Sequence, residues 1–224
     1  MEPFNQTASM TTDRSAFYNK VLALFGLSIL STGIGVYIGM AYLMEMFLTN
    51  PMLIWAFIIL ELGLIFTSRA WSKKEPLNYA LFTLFTLSSG ISVVPVILSF
   101  VAEFGGYDII LRALFSTTVM FMAMALIGTS IKRSLSGFTG FLFAGLIGLI
   151  VVGILGFFFP WGNQMEMLFS GFGVLLFAGF AIVDMNRLKH YPTDEYINAA
   201  IQLYLDIFNM FLMVLRLMGA LSRD

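Results

Sequence analysis

The run Asn198-Ala-Ala-Ile-Gln202-Leu-Tyr-Leu-Asp206-Ile-Phe-Asn209 opens an apolar stretch that continues to about residue 220. Asn198, Gln202 and Asp206 stand at i, i+4 and i+8, and Asn209 follows three residues later. On an α-helix these four side chains stack along one face. The residues around them are Ile, Leu, Phe, Met, Ala and Val, the composition of a helix in lipid. A carboxylate in such a segment is expensive, so it turns to the protein interior or to a water-filled cavity and marks a proton- or ion-linked site. The polar stripe Asn198, Gln202, Asn209 is therefore read as pore-lining, and the rest of the chain as the wall around this helix.

Composition sets the class. Hydrophobic residues are 59% of 224 and charged ones 11%, with a mean hydropathy of +0.90, far from a soluble domain's balance. The fold class expected is all-α, a polytopic membrane bundle. A span needs about 20 mostly apolar residues. Seven stretches qualify: about 21–44, 52–71, 77–100, 109–130, 138–160, 165–186 and 198–220. The breaks between them carry turn residues or charge, as at Asn50-Pro51, Gly105-Gly106 and Tyr191-Pro192. Short connections leave one membrane domain, 21–224, behind a polar N-terminal segment, 1–20. The first apolar run exceeds a signal peptide's core and lacks a small-x-small cleavage pattern at its end, so it is expected to stay as helix one.

Nine Lys and Arg flank alternate junctions (Arg14, Lys20, Arg69, Lys73, Lys74, Lys132, Arg133, Arg187, Lys189), against Arg112, Arg216 and Arg223 on the other side. That asymmetry puts the N-terminus in the cytoplasm. Seven spans would then leave the C-terminus outside. Arg216 is expected to snorkel to the outer interface. With no cysteine and one histidine, His190, neither a disulfide framework nor a thiolate or multi-histidine metal site is available. Nor is there a basic run long enough for nucleic acid. Small residues mark helix contacts: Gly35 and Gly39 in the first run, and Gly140, Ala144 and Gly148 in the fifth. Pro95 in the hydroxyl-rich third run frees a carbonyl within the membrane; it either kinks the helix or kinks it around a cavity.

Three acids fall within apolar runs: Glu61, Asp184 and Asp206. Asp184 closes the sixth run near its cytoplasmic end. Asp206 lies about two turns into the seventh, roughly 12 Å at 1.5 Å per residue. Antiparallel neighbours could bring them together. Two carboxylates in a low-dielectric site cannot both ionise cheaply, so such a pair holds one proton near neutral pH and titrates as a unit. Ionised, the pair repels itself or recruits a cation, and calcium favours hard oxygen ligands of this kind. Arg69, Lys73, Arg187 and Lys189 share that face and could latch the charged form. Asp184 alone is equally well explained as an interfacial acid reaching a nearby Lys or Arg; depth makes that reading harder for Asp206. Glu61 is either a further carboxylate of the same cavity or a protonated acid donating a hydrogen bond inside the bundle.

Four segments carry a resemblance: Ser89-Gly-Ile-Ser-Val-Val-Pro95, Ile131-Lys-Arg-Ser-Leu-Ser136, Val183-Asp-Met-Asn-Arg-Leu-Lys-His190, and Leu203-Tyr-Leu-Asp-Ile-Phe-Asn209 followed by Leu215-Arg-Leu-Met-Gly219. Together they resemble bacterial members of the Bax inhibitor family (transmembrane Bax inhibitor motif proteins). The likeness implies seven helices with the last one central, and a pH-sensitive calcium leak. It implies that Asp184 and Asp206 are the paired-aspartate pH sensor, and that Glu61 matches an acid of the second helix. The family's latching arginine falls near Ser72, with Arg69 and Lys73 one turn or less away. Ser134 stands where the family's pattern after the fourth helix carries an acid.

Three readings follow. The first is a calcium leak gated by protonation of Asp184 and Asp206, with calcium and protons as its partners, no cofactor, and a bacterial cytoplasmic membrane as its place. The second is a regulatory membrane protein that transports nothing and binds membrane proteases or assembly factors. The third, an intramembrane aspartyl protease, lacks that class's signatures: Asp206 follows Tyr204-Leu205, not Gly-x-Gly, and Asp184 follows Ile182-Val183, not a tyrosine. An enzyme is not expected. A retinal protein is not expected either, since the seventh run has no lysine for a Schiff base.

Overall fold

In a computed structural model the backbone is described for residues 3–223 and the side chains for 13–223. The described residues form helices and turns and no strand. In order these are α1 (Pro3–Ile38), which passes through a π-helical turn at Gly39–Leu43 into α2 (Met44–Thr49), then α3 (Leu53–Phe66), α4 (Ser68–Trp71), α5 (Leu77–Ser92), α6 (Val94–Phe104), α7 (Asp108–Ser130), α8 (Thr139–Phe158), α9 (Asn163–Arg187) and α10 (Tyr196–Ser222). Helix α1 already runs from Pro3, so the polar opening residues continue into the first apolar run.

Among the described residues, six helical stretches are long and apolar enough to cross a bilayer: Asp13–Thr49, Leu77–Phe104, Asp108–Ser130, Ser136–Phe158, Asn163–Arg187 and Tyr196–Ser222. The second expected span falls short. Helix α3 stops after 14 residues at Thr67, whose backbone leaves helical geometry at φ −92° and ψ 0°; its N–H still reaches the Gly63 carbonyl, and α4 begins at the next residue. The third expected span is interrupted at Val93, between α5 and α6. Pro95 explains the break: it has no N–H to give the Ile91 carbonyl, and its ring crowds that carbonyl.

The chain divides into two compact units. One comprises the chain up to Leu98 with Tyr191–Tyr204, and the other Ser99–His190 with the chain from Leu205 onward. Helix α10 therefore supplies residues to both.

In the first unit α1 lies directly on α5. A Cβ at Gly35 would run into the Leu87 carbonyl oxygen, and one at Gly90 into that of Thr32. Hydroxyls reinforce the crossing, with Ser31 Oγ donating to the Thr83 carbonyl at 3.2 Å and Thr32 Oγ1 to that of Thr86 at 3.0 Å. Gly39 continues this contact against Val94, beside a core of Phe47, Ile91 and Val94. Small residues thus act here as close-approach points, the role they commonly have between helices in lipid.

In the second unit α7 packs on α9 through Gly128, where a Cβ would meet the Ile182 carbonyl. The expected ridge on α8 is not the contact. Gly140, Ala144 and Gly148 are exposed, while Leu142 and Leu149 are buried and Gly145 faces Leu176 of α9. Leu142, Gly145 and Leu149 thus mark the inward face of α8, and Gly140, Ala144 and Gly148 fall on the outward one.

Candidate functional site

The second unit brings Asp184, Asp206 and Arg187 together. Asp184 lies one turn before the end of α9 and is 7% exposed. Arg187, three residues on, donates from Nη1 to Asp184 Oδ1 at 3.2 Å. Asp206 on α10 is 5% exposed and lies close enough to Asp184 to feel its charge. Asp206 Oδ2 is buried with no hydrogen-bond partner among the described residues. Buried polar atoms normally find one, so an unsatisfied carboxylate oxygen next to a second carboxylate is a place for a proton or a cation. Arg187 answers the Asp184 side of the pair. Its side chain is about one-third exposed, so the ion pair reaches water at one end.

Glu61 belongs to the first unit. Its Oε2 accepts from Ser89 Oγ of α5 at 3.2 Å, while Oε1 is buried without a partner among the described residues. Nearby, the Thr32 and Tyr204 hydroxyls share a hydrogen bond at 2.9 Å, and the Tyr204 ring meets Phe85 edge-on at 5.4 Å. The partner of the acid, Ser89, thus lies one turn before the helix break that precedes Pro95, and the Ser92 hydroxyl donates to the Ser89 carbonyl at 3.1 Å.

The other expected residues have different partners. Lys73 bridges Asp194 at 2.7 Å and Glu195 at 3.1 Å; Arg69 is exposed on α4. Asn198 Nδ2 bonds to Ser72 Oγ and Glu195, and Asn209 Nδ2 to the Leu205 carbonyl of its own helix at 2.8 Å. Gln202 is half-buried. Arg216 does not simply snorkel outward: it forms a two-pronged ion pair with Glu166. Lys73 holds the Asp194 carboxyl below the usual range, and that carboxylate in turn holds the lysine ammonium above its own. For Asp194 the sign is that of a depressed acid: the clasp is present above its unfolded value and is lost as pH falls through the folded one. Amide-exchange protection across residues 191–198, corrected for the intrinsic pH dependence of exchange, is expected to fall on acidification and to be low at all pH in Lys73→Ala; equal protection in both proteins would exclude the clasp.

Sequence reasoning missed Asn186. Two residues after Asp184 and fully buried, it donates to the Gly128 and Ile131 carbonyls at 3.2 and 2.8 Å and accepts from the Leu135 amide at 2.9 Å. It thereby satisfies carbonyls at the C-terminus of α7, which a helix cannot satisfy itself, and ties the end of α9 that carries Asp184. The only signal was an amide side chain inside an apolar run. Asn186→Ala strands the Gly128 carbonyl and the Leu135 amide, and is expected to cost about 2–3 kcal/mol. Thermal unfolding in detergent measures it.

Fold and site together define an integral membrane protein, all-helical among its described residues, with a buried acid pair at the end of one helix and within the next. The chain belongs to the Bax inhibitor family: the family model described as inhibitor of apoptosis-promoting Bax1 matches residues 14–223. It is 34% identical to protein lifeguard 4 of Mus musculus over 94% of this chain and 87% of that one. It is 35% identical to a Golgi anti-apoptotic protein of Vaccinia virus, covering 92% and 85%. It is also 29% identical to an uncharacterised protein of Campylobacter jejuni, covering 98% and 94%.

Proposed function

We propose that this protein is a pH-sensitive calcium leak of a bacterial cytoplasmic membrane, with its N-terminus in the cytoplasm and Asp184 and Asp206 as the proton-operated gate. The observation that carries this reading is the Asp206 carboxylate, buried, with one oxygen unsatisfied and Asp184 in electrostatic reach. With one proton shared, the pair carries a single charge, which Arg187 balances. With that proton gone, a second charge stays in a poorly solvated place, and a change of packing or an entering cation relieves it. Calcium here is cargo. Among the described residues no three His, Cys, Asp or Glu side chains converge, and calcium prefers six to eight oxygens. A two-carboxylate station fits an ion in passage better than a held one.

Helix α3 would be a seventh, shorter span, about 21 Å at 1.5 Å per residue, extended by α4 and placing Glu61 at membrane depth. The test is calcium flux into proteoliposomes of purified protein, from mildly acid to mildly alkaline pH. A flux above empty liposomes that changes across this range supports the leak. No flux at any pH, together with a membrane protease or assembly factor that co-purifies in fixed proportion, would replace it with the regulatory reading.

A further inference from the structure

At the far end of α9 from Asp184, where α8 turns into α9 beside the end of α10, lies a cavity of about 560 Å³. That size is within the range of small-molecule sites. Its lining includes Gly156, Trp161, Asn163, Glu166, Arg216 and Arg223, all within the second unit. It is a built site. The Trp161 indole lies so close over Gly156 that any Cβ there would strike the ring. Trp161 Nε1 donates to Glu166 Oε2 at 3.0 Å, and Arg216 donates to both Glu166 oxygens, at 2.7 and 3.1 Å. The Arg216 guanidinium also lies 4.8 Å over the Phe169 ring, which stands 5.5 Å from Trp161. Arg216 is thus fixed from two sides. Arg223 is held the same way, forking onto Glu103 through Nε and Nη2.

Each fork leaves one corner unused. Neither Nη1 has a partner among the described residues, although both arginines line the cavity. Planar guanidinium edges of this kind match phosphate oxygens. Among the described residues the carboxylates of Glu166 and, behind Arg223, Glu103 offset the two guanidiniums, so a ligand with one negative charge is accommodated more cheaply than one with two. A phosphodiester carries one; free phosphate at neutral pH carries between one and two. The surroundings point to lipid. Helix α8, one wall of the cavity, is the least buried of the six candidate spans, at 11%, and leads away from the cavity through exposed Ile154 and Phe158. Tryptophan beside charge is the composition of a bilayer interface.

We propose that this cavity holds the headgroup of a membrane phospholipid, its phosphodiester between the free edges of Arg216 and Arg223 and its acyl chains along the outer face of α8. Native mass spectrometry of the detergent-purified full chain tests this with phosphatidylethanolamine, phosphatidylglycerol, diacylglycerol and inorganic phosphate. One bound phospholipid per chain is expected, with diacylglycerol failing to bind. Arg223→Gln should weaken binding about tenfold, the worth of one charge-assisted hydrogen bond. Gly153→Leu, which fills the cavity but keeps every charge, should weaken it at least as much. Diacylglycerol binding as well as phospholipid, or both variants binding like the wild type, would overturn the site. Inorganic phosphate displacing the lipid at equal concentration would assign the cavity to a free anion instead. The readout is a bound mass, so it stands whether or not the protein leaks calcium.

Discussion

An Asp206→Asn protein in liposomes is expected to pass calcium at a rate that no longer follows pH. Asparagine keeps the size and the hydrogen-bonding ends of aspartate but cannot exchange the proton. The variant therefore removes the charge step and leaves the packing of α10 in place. The size of that step explains why the whole response should vanish. Two unit charges about 4 Å apart at an effective dielectric of about 20 interact by about 4 kcal/mol. That is enough to move a two-state packing equilibrium about a thousandfold. With one acid left, that coupling has no second member. Asp184→Asn should flatten the profile too, and it also removes the carboxylate oxygen to which Arg187 Nη1 donates. The two variants therefore part in their basal rates: Asp206→Asn keeps the Arg187 contact, while Asp184→Asn leaves an arginine beside a lone buried carboxylate. A wild-type pH profile in Asp206→Asn, with flux intact, would sink the gate.

The composition and the buried acids were legible because each rests on a local rule. An apolar run of span length with one acid inside says that the acid is costly wherever the helix goes. Pro95 announced a break, and the break occurs just before it. What could not be read was the rotation of each helix about its own axis. Asp184, Asn186 and Arg187 lie within four residues, yet one is a buried acid, one ties down the end of α7, and one reaches water. Only the contact surface of the neighbouring helices assigns those roles. Arg216 illustrates the same limit: sequence gave its depth, but not the Glu166 carboxylate that meets it from fifty residues away. The stop at Thr67 rests on one residue's backbone leaving helical geometry, which composition does not reveal.

Glycine spacing is the sharpest case of that ambiguity, and it yields a prediction in which the same substitution has opposite signs. Gly→Ala in an exposed helix interior gains about 0.5–1 kcal/mol, because alanine loses less backbone freedom on folding. Gly140 has open space around its Cβ position, so Gly140→Ala should raise the stability of the protein in detergent by about that much. Gly90 has the Thr32 carbonyl there, and Gly35 the Leu87 carbonyl. Backbone cannot rotate aside as a side chain can, so the helices must separate. Overpacking costs about 1–3 kcal/mol even where side chains can yield, and here the separation also lengthens the Ser31 and Thr32 hydrogen bonds across the crossing. Gly90→Ala is expected to lose about 3 kcal/mol despite the helix-propensity gain, and Gly35→Ala a similar amount. The two substitutions act on one crossing, so the double variant should lose clearly less than their sum. Thermal unfolding followed by tryptophan fluorescence separates the outcomes. If Gly90→Ala and Gly140→Ala shift the midpoint the same way, α1 and α5 do not meet at these glycines.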